Sequence, residues 1–178
     1  MLKELLSAGA VALLFLHSAA LAQTAPASSD QIEAKQAISG TVTGNDQHVG
    51  FRAMIMKQAI EYNLGGYAKN EPNDIVRFTL QGKPKRLDDA VAAIREGTKK
   101  SSSIEVTTAP LAVDPALDSF TILGWTSTSR SITNPYDLVF KLRADDGKLS
   151  HGEVKEVWQG ILRSTLKGDD LKKLGPED

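Results

Sequence analysis

The sequence predicts an α+β fold, a ferredoxin-like βαββαβ sandwich in which two helices cover one face of an antiparallel sheet. Three observations predict it. Short β-branched runs alternate with period two, two apolar stripes recur at helical spacing, and their order is strand, helix, strand, strand, helix, strand. A fifth strand and then a C-terminal strand–helix extension follow this core.

The elements justify themselves in order. Residues 36–44, QAISGTVTG, place Ile38, Gly40 and Val42 between polar neighbours, a strand signature. Phe51, Met54, Ile55, Ala59 and Tyr62 then fall on one helical stripe, which Leu64-Gly65-Gly66 is expected to stop. Residues 66–70 and 75–82 read as strands joined by the four-residue turn EPND, 71–74. Leu87, Val91, Ile94 and Thr98 mark the second helix, and 104–109 and 119–125 the next two strands. Beyond them, 126–135 reads as a linker and 136–143 as a strand. An amphipathic helix over 153–166 carries Val154, Val157, Trp158, Ile161, Leu162 and Thr165 on one face. Ser150 and Glu153 have capping-box spacing ahead of it. Trp125 and Trp158 are suited to pack the extension onto the sheet, and the charged tail after Leu166 is expected to fray.

The first 22 residues have a Lys near the start, an apolar core over 5–16, and Ala20-Leu21-Ala22 before Gln23. That is the layout of a secretory signal peptide. The expected organisation is therefore a signal peptide over 1–22, a flexible leader over 23–34, a domain over 35–125 and an extension over 126–178. The expected product is exported, periplasmic or secreted, monomeric, and free of the membrane once the signal is cleaved.

A formal charge of −1 and a pI near 6.3 offer nothing to nucleic acid. The chain has no cysteine, which excludes thiolate nucleophiles, thiolate metal sites and disulfides. His48 and His151, the two histidines beyond the signal, lie far apart. Residues 144–154 match only the second half of a calcium loop. No metal and no cofactor is expected. Lys83, Lys85 and Arg86 read as a solvated helix start, and the apolar face of 153–166 is a candidate surface for a protein partner.

One stretch invites chemistry: residues 40–52, GTVTGNDQHVGFR, where a strand breaks into a Gly-framed loop and feeds a helix. Such a loop either turns a corner or gathers backbone N–H groups around an anion at the positive end of a helix. Arg52 would add a planar fork of donors suited to phosphate, against its own preference, because a cation is disfavoured in the first turn. The candidate loop comprises Gly44, His48, Val49, Gly50 and Phe51. His48 is a further phosphate donor, a general acid for a leaving group, or an exposed loop histidine.

ISGTVTG…VGFR resembles the first signature of the acylphosphatase family, and GYAKNEPNDIVRFTLQG resembles the second, with Gly66, Tyr67, Ala68, Asn70, Val76 and Gly82 at the matching positions. The resemblance covers about residues 35–125. It implies that Arg52 holds the phosphate of an acyl phosphate, that the loop N–H groups cradle its other oxygens, and that Asn70 orients the attacking water. This chain departs from the pattern in three places. Residues 45–48 are extra, Thr43 stands where the family has Gln, and Asp74 stands where it has Gly. The lengthened loop leaves a second reading open: a non-catalytic exported module that keeps the fold and binds an anionic ligand or a protein partner.

Overall fold

The computed structural model describes residues 33–45, 50–98 and 102–175. Six strands form one sheet in the order β4-β1-β3-β2-β5-β6. They are β1 Gln36–Asn45, β2 Gly65–Glu71, β3 Ile75–Gly82, β4 Ser102–Leu111, β5 Ser119–Ser127 and β6 Ile132–Lys141. The helices are α1 Phe51–Tyr62, α2 Pro84–Glu96, α3 His151–Thr165 and the short α4 Gly168–Lys172. The first four strands and two helices make the expected ferredoxin-like core. The sheet is mixed rather than antiparallel, because β5 lies parallel to β2, with Ala68 opposite Ile122. No described helix is long and apolar enough to cross a membrane.

Alternation along the strands sends Val42, Ala68, Val76, Phe78, Leu80, Phe120 and Ile122 to one face, where Ile55, Met56, Ile60, Leu87 and Ile94 of the helices cover them. Gly40 of β1 is a required hole in this layer. A Cβ there would collide with the ring of Phe78, its cross-strand partner on β3.

Several boundaries differ from the sequence reading, each for a local reason. Helix α1 ends at Asn63, which takes a left-handed conformation (φ 55°), while Gly65 and Gly66 belong to β2. The hairpin pairs Glu71 with Ile75, so its loop has three residues, with Asn73 and Asp74 both at positive φ. Asn and Asp tolerate that region, which accounts for Asp74 in a position the family gives to Gly. Residues 126–135 are not a linker. Strand β5 runs to Ser127, a 3₁₀ turn spans Thr128–Arg130, and β6 begins at Ile132. Pro135 is tolerated there because β6 is an edge strand.

The extension is built into the same core. Val154, Trp158 and Leu162 of α3 are buried against α1 and β6, and Trp158 meets Trp125 edge-to-face at 6.3 Å. The apolar face that suggested a partner surface is thus covered from within. The capping box forms: Ser150 N–H donates to Glu153 Oε2 (2.8 Å), and the Glu153 N–H is capped by Ser150 Oγ. As far as Leu174 the tail packs onto the domain instead of fraying, since Asp170 is buried and accepts from Asn134 Nδ2 (2.7 Å), Tyr136 OH (3.0 Å) and Lys173 Nζ (2.7 Å). Nor is the basic cluster simply solvated. Lys83 and Arg86 both pair with Asp146, which clasps the β6–α3 loop to the start of α2.

Candidate active site

Strand β1 ends in a bulge against β4, where the pairing shifts between Thr43 and Asn45. Gly44 sits in it at φ 118°, and a Cβ there would strike the Ser103 carbonyl, so the glycine answers first to the neighbouring strand. The chain re-emerges at Gly50, whose φ of 82° and ψ of 17° set the N-cap of α1. Among the described residues nothing crowds that position, and the positive φ itself favours glycine there. His48 and Val49 lie outside the described residues.

Helix α1 begins without a side-chain cap and without an acidic residue in its first turn, whereas α3 has both. Among the described residues nothing accepts from the backbone N–H groups of Phe51, Arg52 and Ala53. Among the described residues the positive end of the helix macrodipole thus has no partner, an arrangement that favours an anion. Phe51 turns its ring into the core and pins the helix start, leaving only its backbone at the surface.

Arg52 is half-buried and firmly seated. Its Nη1 donates to the carbonyls of Leu123 (2.8 Å) and Gly124 (3.0 Å) on β5. Burial draws its guanidinium below the ordinary arginine value, and arginine nonetheless stays protonated at neutral pH. Among the described residues, Nε and Nη2 have no acceptor. Asn70 lies on β2 opposite Val76, two residues beyond Ala68, on the same sheet face. Because Ala68 pairs in parallel with Ile122, Asn70 runs alongside the Leu123–Gly124 stretch that seats Arg52. Nothing among the described residues is hydrogen-bonded to the Asn70 amide. The register therefore brings Arg52, Asn70 and the α1 N-terminus to one end of the sheet. Gly66, by contrast, is structural: a Cβ there would collide with the carbonyl of Thr79.

A family model described as Acylphosphatase matches residues 38–122. The acylphosphatase of Chlorobaculum tepidum is 33% identical over 82 residues, covering 46% of this chain and 89% of that relative. The chain belongs to the acylphosphatase family. The acylphosphatase of Vibrio cholerae is 38% identical over 72 residues, 40% of this chain and 79% of its own. A solved acylphosphatase from Coxiella burnetii aligns with 53% of this chain and 98% of its own, at 24% identity and a TM-score of 0.47. Both signatures fall inside the matched segment, as do Arg52 and Asn70. The seat of Arg52 does not, because Leu123 and Gly124 follow immediately after it. Sequence reasoning missed these two carbonyls. The available signal was Gly124 itself, an isolated glycine inside a strand pattern.

Proposed function

We propose that the chain hydrolyses the carboxyl–phosphate bond of small acyl phosphates, with Arg52 holding the phosphate and Asn70 orienting water. The observation that carries this reading is the guanidinium of Arg52, fixed by two carbonyls at the start of α1, with no acceptor for Nε or Nη2 among the described residues. Water attacks phosphorus, the bond from phosphorus to the acyl oxygen breaks, and the carboxylate leaves with the electron pair while the water proton passes to solvent. A carboxylate is a good leaving group, so no strong base is needed. Positioning and stabilisation of charge on the phosphoryl oxygens do the work. An amide serves for Asn70 because it accepts from water and donates as well. The signal-like N-terminus supports export as the setting of this activity.

The test is hydrolysis of benzoyl phosphate, followed by ultraviolet absorbance, by the wild type, Arg52→Ala and Asn70→Ala. Each substitution is expected to cost at least about 10²-fold, or about 2.7 kcal/mol of barrier. A folded wild type no faster than buffer would refute the reading. The second reading, a non-catalytic anion-binding module, is favoured by the four extra residues at 45–48 and would then stand.

A further inference from the structure

The bulge that seats Arg52 lies just past the family match, where β5 runs on beside β6. Between the pairs Ile122↔Leu138 and Trp125↔Tyr136, β5 has two residues, Leu123 and Gly124, where β6 has only Asp137. Gly124 takes φ 60°, and its N–H donates to Asp137 Oδ1 at 2.8 Å. The carbonyls of the same two residues receive Arg52 Nη1. A single side chain thus closes a chain of contacts from β6 through the bulge to the candidate phosphate anchor.

We propose that Asp137 is a positioning residue for acyl-phosphate hydrolysis: it fixes the β5 bulge whose carbonyls aim the Arg52 guanidinium. This rests on the role proposed for Arg52. The physical need is specific. Arg52 sits in the first turn of α1, where the helix dipole opposes its charge, so the two carbonyls hold it where the helix would not. Carbonyl direction in a bulge depends on the backbone conformation of its residues, and Asp137 restrains one of them by accepting from the Gly124 N–H. Gly124 has no side chain of its own to restrain it. The restraint comes from across the strand pair.

Asp137→Asn keeps a carbonyl oxygen for the Gly124 N–H and removes the charge, whereas Asp137→Ala removes the acceptor. With benzoyl phosphate as substrate, Asp137→Asn is expected to stay within about twofold of wild type in KM. Asp137→Ala is expected to raise KM and the inhibition constant of inorganic phosphate together by about tenfold, about 1.4 kcal/mol, with a smaller change in kcat. A loss of fold would instead lower the amount of active enzyme and leave KM alone. Wild-type KM and phosphate inhibition in Asp137→Ala would overturn the proposal, as would an equal loss in Asp137→Asn. A second readout is the nitrogen NMR of the Arg52 guanidinium. Separate, slowly exchanging Nη signals in wild type that merge in Asp137→Ala support the proposal, and unchanged signals refute it. If wild type does not turn over benzoyl phosphate, the hydrolytic reading fails while the NMR still decides the positioning claim.

Discussion

Trp158→Ala tests whether the C-terminal strand and helix are integral to the domain. Trp158 is only 6% exposed, packs edge-to-face on Trp125 at 6.3 Å, and has the Lys57 ammonium 5.4 Å from its ring centroid. Truncating a buried Trp costs about 3–5 kcal/mol, because the lost transfer energy is joined by the cavity left behind. The Trp125 pairing accounts for about 0.5–1.5 kcal/mol of such a loss beyond burial. Against a total stability of about 5–15 kcal/mol this is a large fraction. In a thermal melt it corresponds to a drop of roughly 6–20 °C for a domain of this size. Urea unfolding followed by far-ultraviolet circular dichroism gives the free energy, with one cooperative transition expected. Trp125 is then the sole tryptophan, and its emission should shift to the red as its pocket opens. A loss below about 1 kcal/mol, or a separate early transition for α3, would refute the claim that α3 and α1 share one core.

Two further outcomes are expected. Gly40→Ala should destabilise by about 1–3 kcal/mol, since the new methyl meets the buried Phe78 ring, and combining it with Phe78→Leu should cost less than the sum in paired thermal melts. The Asp170 carboxylate is held below its ordinary pKa, first by the hydrogen bond from Lys173, then by those from Asn134 and Tyr136. A depressed carboxylate stabilises above its unfolded value, about 3.9, and that stability is lost as pH falls through the lower folded value. Unfolding midpoints of wild type and Asp170→Asn should therefore converge as pH drops from about 5 to about 2, and a constant gap would show that the ion contributes nothing.

The core was legible because its signals are local. Period-two runs and helical stripes report which face each residue buries, and β1 through β5 were each found within a few residues. What escaped depends on partners distant in sequence. ITNP, 132–135, looks like a linker in isolation, and only its place at the sheet edge makes it a strand. Asp170 looks like one more charge in an acidic–basic tail until Asn134 and Tyr136 surround it. At the candidate site, the register places Arg52 and Asn70, the two residues taken from the family motif, at one end of the sheet. The carbonyls of Leu123 and Gly124 were not readable, because every residue has a carbonyl and only the fold decides where it points.

The parallel placement of β5 beside β2 also shapes how the molecule assembles. Partners such as Ala37 and Leu111, or Ala68 and Ile122, are far apart along the chain, so long loops must close before their pairing is rewarded. Strand β6 has no such burden, since it folds back on β5 through a single short turn. Until it does, β5 presents a row of unpaired backbone groups beside the apolar surface that Trp158 and Leu162 later cover, a template for another chain's strand. Completion of the C-terminus therefore shields an otherwise self-adhesive edge, and the interval before that closure is when the nascent protein is most exposed to aggregation.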